Sequence, residues 1–229
     1  MAAKKISSLL IVGPTGSGKT PLGDHLEGQG LWGRKCFHFD FGAVLRGIAA
    51  GSPRPFFISM KDREIINLSL QTGALLENET FYIAEKILKA FIRDRALETP
   101  DLLILDGLPR HIGQAEDMAG IAAIKAVASL DGPAEVLFER IRRDAGGDRL
   151  GRLDDAVRDI NKKLEIFRQR TLPLLEYYLI KKVPVISLPI GFNTRPEDLA
   201  RQLEALEIFK PGKKIEGRGR RRNGKAVNP

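Results

Sequence analysis

Residues Gly13, Pro14, Thr15, Gly16, Ser17, Gly18, Lys19 and Thr20 follow directly on the apolar run Leu9-Leu10-Ile11-Val12 and lead into an amphipathic stretch. No other feature constrains the chain as much. Glycines let a backbone curl so that successive N–H groups point inward, and the helix that follows adds partial positive charge at its N-terminus. The spacing G-x-x-x-x-G-K-T, between a strand and a helix, is that of a loop that cradles a nucleoside triphosphate. Lys19 is then expected to reach the β- and γ-phosphates, and the Thr20 hydroxyl to serve as a ligand for Mg²⁺.

The rest of the chain repeats the alternation that the loop requires. Apolar runs at Ser8–Val12, Lys35–Phe39, Leu102–Asp106, Ala126–Leu130 and Val183–Leu188 read as strands. Helical periodicity lies between them, at Lys19–Gln29, Gly42–Ala50, Asp62–Gln71, Asn78–Glu98, Ile112–Ala122, Pro133–Asp144, Asp154–Lys181 and Pro196–Ile208. Alternation of this kind predicts an α/β fold, a doubly wound parallel sheet of five strands with helices on both faces. Residues 41–98 carry three helices between two strands, which is more than one crossover needs and predicts a small helical insertion. Residues 144–153 are rich in Gly and Arg and read as a loop.

Composition matters at two points. Apolar residues make up 43%, enough for a full core, and Cys36 is the only cysteine, which excludes an internal disulfide and a multi-cysteine zinc site. The net charge is +8, of which the segment 210–229 alone carries +7. The body, 1–209, is therefore near neutral, and the tail reads as disordered. The tail's charge fits either a solubilising end or weak association with RNA or another polyanion. No run approaches 18 apolar residues and the N-terminus has no signal-peptide pattern, so the cytoplasm is expected and a membrane is not.

A second motif narrows the chemistry. Leu102-Leu-Ile-Leu-Asp106-Gly107-Leu-Pro-Arg110-His-Ile-Gly-Gln114 places an acid at a strand end, where proteins with this loop set a carboxylate near Mg²⁺ or its waters. This stretch resembles the signature D-G-[FY]-P-R-x-x-x-Q of the adenylate kinase family. The resemblance extends over about residues 7–208. Phe41-Gly-Ala-Val-Leu-Arg46 is similar to that family's T-G-D-L-L-R, and Thr72-Gly73-Ala-Leu75-Leu-Glu-Asn-Glu79 to its G-x-x-V-x-D-E. Gly151-Arg152-Leu-Asp154-Asp155 is similar to its G-R-x-D-D, and Thr171-Leu-Pro-Leu-Leu-Glu-Tyr-Tyr to its T-x-P-L-x-x-Y-Y.

The resemblance implies a site with two nucleotides. Residues 13–20 would hold MgATP, with Arg140 stacked on the donor adenine, and Thr20 and Asp106 would hold Mg²⁺ directly or through water. Arg46 and Arg110 would clamp the acceptor phosphate, a task suited to a planar, bidentate guanidinium. Gln114 would read the edge of AMP, with Phe41, Gly73, Leu75 and Gly107 around it. Arg152, with Arg143 as a second lid arginine and Lys163 in place of a family arginine, would meet the transferred phosphoryl group, and Asp154 and Asp155 would brace the lid. The implied protein is a zinc-free, short-lid, monomeric ATP:nucleoside-monophosphate phosphotransferase, most similar to those that use AMP.

The chain also departs from the family pattern. Phe41 stands for a threonine, Ala43 for an aspartate, Thr20 for a glycine, Lys163 for an arginine and Leu108 for an aromatic residue. These departures leave three alternatives open: another monophosphate acceptor, ATP hydrolysis, and a nucleotide-dependent RNA- or protein-binding role using the tail. His38, Phe39, Cys36 and Trp32 read as core, and His25 and His111 have no partner suggesting acid–base work.

Overall fold

In the computed structural model the described residues are 5–51, 58–147 and 157–206. Five strands, β1 (Ile6–Val12), β2 (Cys36–Asp40), β3 (Leu102–Asp106), β4 (Ala122–Asp131) and β5 (Val185–Pro189), form one sheet in the order β2-β3-β1-β4-β5. Every pairing is parallel. Parallel strands need crossovers, and helices on both faces supply them. This is the α/β, P-loop NTPase-type doubly wound sheet.

Burial on both faces explains why the strands read as unbroken apolar runs. In β1, Leu10 and Val12 join one core cluster while Leu9 and Ile11 join the other. β3 divides in the same way, with Leu103 and Leu105 on the first face and Leu102 and Ile104 on the second. The second face is covered by α1 (Lys19–Gln29), α6 (Ala134–Arg142) and α9 (Pro196–Glu204), through Leu22, Leu26, Leu137, Leu199 and Leu203. Trp32 ties α9 down, donating from Nε1 to Leu203 O at 2.8 Å. Cys36 is buried beside it, and burial pushes its thiol up to about 12, so it stays neutral.

The first face carries α2 (Phe41–Ala49), α3 (Met60–Thr72), α4 (Phe81–Asp94), α5 (Ile112–Met118) and α8 (Pro173–Ile180). Ile48, Ile66, Ile83 and Leu88, all within the helical stretch 41–98, share one apolar cluster with the sheet. The insertion therefore packs on the sheet rather than around a core of its own.

Three boundaries differ from the sequence expectation. The helix expected to reach Ala122 stops at Met118, and β4 starts at Ala122, because residues 122–124 pair with Ile6–Ser8 ahead of a register shift at Ser8/Leu9. The long helix expected over 154–181 is split into α7 (Val157–Ile166) and α8 by a π-turn at Phe167–Thr171, where Leu172 N–H donates to Phe167 O at 2.8 Å. Pro173 starts α8, where its missing N–H costs nothing. Asn78–Thr80 forms a separate 3₁₀ turn before α4.

One close approach positions the site. A Cβ on Gly23 of α1 would lie 2.2 Å from His38 Nε2, so only glycine lets α1 pass this close to β2.

Candidate active site

The loop 13–20 leaves β1 at its carboxyl end, between β3 and β4, which is where ligands bind in open parallel sheets. Gly16 and Gly18 take φ of 84° and 93°, a region that side chains with a Cβ rarely adopt. Among the described residues their N–H groups form no backbone hydrogen bond. Lys19 folds back over the loop and donates from Nζ to Pro14 O at 3.1 Å. Ser17 lies beneath the loop, fully buried, and its Oγ has no hydrogen-bond partner.

Two carboxylates close the floor. The parallel register sets Asp40, at the end of β2, beside Asp106, at the end of β3. The Thr20 hydroxyl lies 3.0 Å from Asp40 Oδ2 and 2.9 Å from Asp106 Oδ2. Burial raises the Asp106 pKa above the ordinary carboxylate range and Asp40's charge adds to this, while Lys19, His38 and the Thr20 hydrogen bond oppose it. His38 comes from below, its Nδ1 2.8 Å from Asp24 Oδ1 and its Nε2 4.0 Å from Asp106 Oδ2.

The acceptor side lies along the same sheet edge. Arg46, on α2, is half-buried with Nη1 3.2 Å from where a Cβ on Gly42 would lie. Arg110, half-buried after β3, donates its backbone N–H to Gln114 Oε1 at 2.7 Å, and its carbonyl accepts from Thr171 Oγ1 at 2.9 Å. Burial pushes the Arg110 guanidinium's pKa down, against the attraction of Asp106. Neither guanidinium has a hydrogen bond or ion pair among the described residues. Gly107, with φ of 80°, brings the β3 end close to the start of α2.

Two residues of this side are placed differently from the expectation. Phe41 is buried, its ring stacked on Phe39 with centroids 5.9 Å apart in the same core cluster. Gln114 is also buried, and its amide is committed to backbone, accepting from Arg110 N–H and donating from Nε2 to Leu76 O at 2.7 Å. These bonds use one of its two amide hydrogens and one of its two lone pairs, which fixes the plane in which a base could meet it. Gly73, the left-handed cap of α3, and the half-buried Leu75 precede Leu76 in this loop.

On the donor side, Arg140 is buried and ties two loops together. Nε donates to Gly16 O at 3.2 Å, and Nη1 lies 3.1, 3.3 and 2.9 Å from the carbonyls of Gly191, Phe192 and Thr194. Its planar edge is thus spent on backbone. Arg143 is exposed and pairs with Glu139, whose pKa falls to about 2 through its bonds to Arg142 and Arg143. Lys163, on α7, is half-buried. Arg152, Asp154 and Asp155, most of the loop 144–153, and the tail 210–229 lie outside the described residues.

Known proteins place this geometry. No protein-family model matches the chain. An adenylate kinase of Stenotrophomonas maltophilia K279a is 30% identical over 179 residues, 74% of this chain and 84% of the relative. The chain belongs to the adenylate kinase family. Adenylate kinases of Deinococcus radiodurans (29% over 189 residues, 78% of this chain and 86% of the relative) and Haloarcula marismortui (27% over 198 residues, 74% and 83%) are similar to it as well. As a divergent adenylate kinase family member it is a phosphotransferase of the nucleoside monophosphate kinase class.

Adenylate kinases generally work on MgATP, and the residues here fit that ion. Mg²⁺ prefers hard oxygen ligands, and Thr20 Oγ1 and the Asp106 carboxylate offer them at the mouth of the cradle. Among the described residues no group of three or more His, Cys, Asp or Glu is placed to hold a metal, and no helix is long and apolar enough to cross a membrane.

Sequence reasoning on this adenylate kinase family member missed Asp40. Its signal was present: an acid at a strand end directly before a helix is an N-cap, and Asp40 Oδ1 indeed accepts from Ala43 N–H at 2.8 Å. The Asp24–His38 pair and the Arg170–Glu77 ion pair, at 2.8 Å, join residues too distant in sequence to be matched from spacing.

Proposed function

We propose that the chain transfers the γ-phosphoryl group of MgATP to AMP, giving two ADP. The observation that carries this reading is the pairing of opposites at one sheet edge. A loop whose Gly16 and Gly18 N–H groups make no backbone bond lies with Lys19 beside Asp106, and two half-buried guanidiniums, Arg46 and Arg110, stand there without a counter-ion among the described residues. A guanidinium held away from water without a partner is costly, and a bound phosphate removes that cost.

The chain's own groups then divide the work. Loop N–H groups and Lys19 hold the β- and γ-phosphates and offset charge as it spreads in the transition state. Arg46 and Arg110 orient the acceptor phosphate for in-line attack, which converts a bimolecular step into a positioned one. Mg²⁺ bound near Thr20 and Asp106 would supply further charge neutralisation. Arg140 orders the loop 191–194 against the cradle, and Gly73 and Leu75 border the acceptor base. Arg152, Arg143 and Lys163 are assigned to the lid side of the transferred group on the family pattern alone.

A coupled assay with MgATP against AMP, CMP, UMP, GMP and dAMP tests the acceptor. ADP formation that depends on AMP supports the reading, and preference for another monophosphate overturns the choice of AMP. One observation favours a second reading, ATP hydrolysis. Thr20, where the family carries glycine, sets a hydroxyl 3.0 and 2.9 Å from two carboxylates, the residue type that P-loop NTPases use to hold Mg²⁺. ADP released at full rate without any acceptor would favour it.

A further inference from the structure

We propose that Arg170, through its ion pair with Glu77, is a positioning residue for the acceptor side, holding the loop 73–77 against the turn of chain that also fixes Arg110. The proposal rests on the acceptor reading above and adds to it two residues that touch neither nucleotide.

The loop depends on its neighbours for a single shape. Residues 73–77, between α3 and the 3₁₀ turn, belong to no helix or strand, and Gly73 and Leu75 in this loop border the acceptor base. At its start, Ser69 Oγ donates to Ala74 O at 2.7 Å and Ala74 N–H to Thr72 Oγ1 at 3.3 Å. Near its end, α5 supplies two donors to Leu76 O. Gln114 N–H donates to His111 Nδ1 at 3.3 Å, so the ring hydrogen sits on Nε2, which donates to Leu76 O at 3.2 Å beside Gln114 Nε2 at 2.7 Å.

A further support comes from one continuous run, α7 and the π-turn that follows it. Lys162 Nζ donates to Thr72 O, and its Cε lies 3.9 Å from where a Cβ on Gly73 would be. Arg170 Nη2 donates to Glu77 Oε2 at 2.8 Å. The next residue, Thr171, is buried and donates from Oγ1 to Arg110 O at 2.9 Å. Adjacent residues thus grip the acceptor loop and the backbone of the acceptor clamp.

The π-turn favours this reach. At 3.6 residues per turn, the step from Lys162 to Arg170 would rotate about 800°, leaving Arg170 about 80° away from the face of Lys162. A turn closed from i to i+5 is wider and rotates each residue less. The π-turn at Phe167–Thr171 therefore takes up part of that offset and brings both side chains toward one loop.

The hydrogen bond from Arg170 holds the Glu77 carboxyl below the usual carboxylate range, so the pair is charged at neutral pH. Its side chains are 41% and 50% exposed, and pairs as open as this add little to global stability. What the pair can bias is the local opening of the loop. Glu77 falls where the pattern G-x-x-V-x-D-E leaves its residue open, and Arg170 lies just ahead of T-x-P-L-x-x-Y-Y, so the family pattern assigns neither.

The test compares Arg170→Met, which keeps the stem, with Glu77→Gln, which keeps the shape. At saturating MgATP each should raise the acceptor KM about two- to fivefold, the range of an exposed ion pair, with the ATP KM unchanged. The double variant should be no worse than either single one, because the two side chains act as one pair. Arg168→Met, which removes a charge from the same turn where Arg168 faces Glu165, should leave the acceptor KM as in wild type. An acceptor KM that stays put, that moves together with the ATP KM, or that follows Arg168→Met equally would overturn the proposal, as would effects that multiply in the double variant. Thermolysin cleavage within 73–77 of the nucleotide-free chain, read by mass spectrometry, needs no turnover. It should quicken in both single variants, and unchanged cleavage would overturn the tie. Wild-type protein that transfers to no monophosphate would overturn the acceptor reading, while the cleavage rates still decide whether Arg170 holds the loop.

Discussion

Replacing Arg140 by methionine separates two roles for a residue that family resemblance assigns to the donor base. The structure shows its guanidinium bonded to Gly16 O and shared among the carbonyls of Gly191, Phe192 and Thr194. Nη1 has two hydrogens for three carbonyls, so the side chain makes about three effective bonds. A hydrogen bond to a charged group contributes about 1.5–3 kcal/mol net, and water regains part of this for loop carbonyls. Methionine preserves most of the stem's packing, so a loss of about 3 kcal/mol is expected. For a domain of this length, 1 kcal/mol shifts the melting temperature by about 2–4 °C, giving a drop of about 6–12 °C without nucleotide. Differential scanning calorimetry measures this shift, and steady-state kinetics should show a raised KM for ATP with the acceptor KM little changed. A residue that only stacks on adenine would raise the ATP KM and leave melting untouched. A variant melting within about 2 °C of wild type would refute the tie between the loops.

Three further outcomes are expected. Lys19→Ala should lower turnover at least about a hundredfold, as loss of a preorganised charge does, and full retained activity in the coupled assay would remove the cradle from the mechanism. Arg110→Ala should raise the acceptor KM about ten- to a hundredfold while ATP binding by calorimetry stays near wild type, since a charged hydrogen bond to phosphate is lost. Equal damage to both substrates would contradict the clamp. Asp106 has a raised folded pKa, so between its unfolded value, about 4, and the folded one the native state holds more protons and stability falls as pH rises. Asp106→Asn should therefore melt higher than wild type at pH 8 without metal or nucleotide, yet lose turnover about a hundredfold or more. Melting below wild type there would show that its charge is already well compensated.

Much of this was legible in the chain because the physical cause was local. Strand β3 is Leu102–Asp106 as expected and α1 is Lys19–Gln29, since a run buried on both faces and a loop ending in a left-handed glycine mark their own ends. What was not readable depends on distant chain. Gln114 is taken up by Leu76 O, 38 residues away, and Arg140 by carbonyls more than 50 residues further on, so motif spacing could not show that both side chains are already engaged. The break at Phe167–Thr171 lies inside a helical period that Pro173 alone does not interrupt, because proline is tolerated in a first turn.

The central claim is that the phosphoryl group passes to AMP rather than to water. ATP labelled with ³²P at the γ position, incubated with Mg²⁺ and AMP and separated by chromatography, measures this directly. The account predicts label in ADP, only when AMP is present, with little in inorganic phosphate. Label released as inorganic phosphate at the same rate with or without AMP would contradict it.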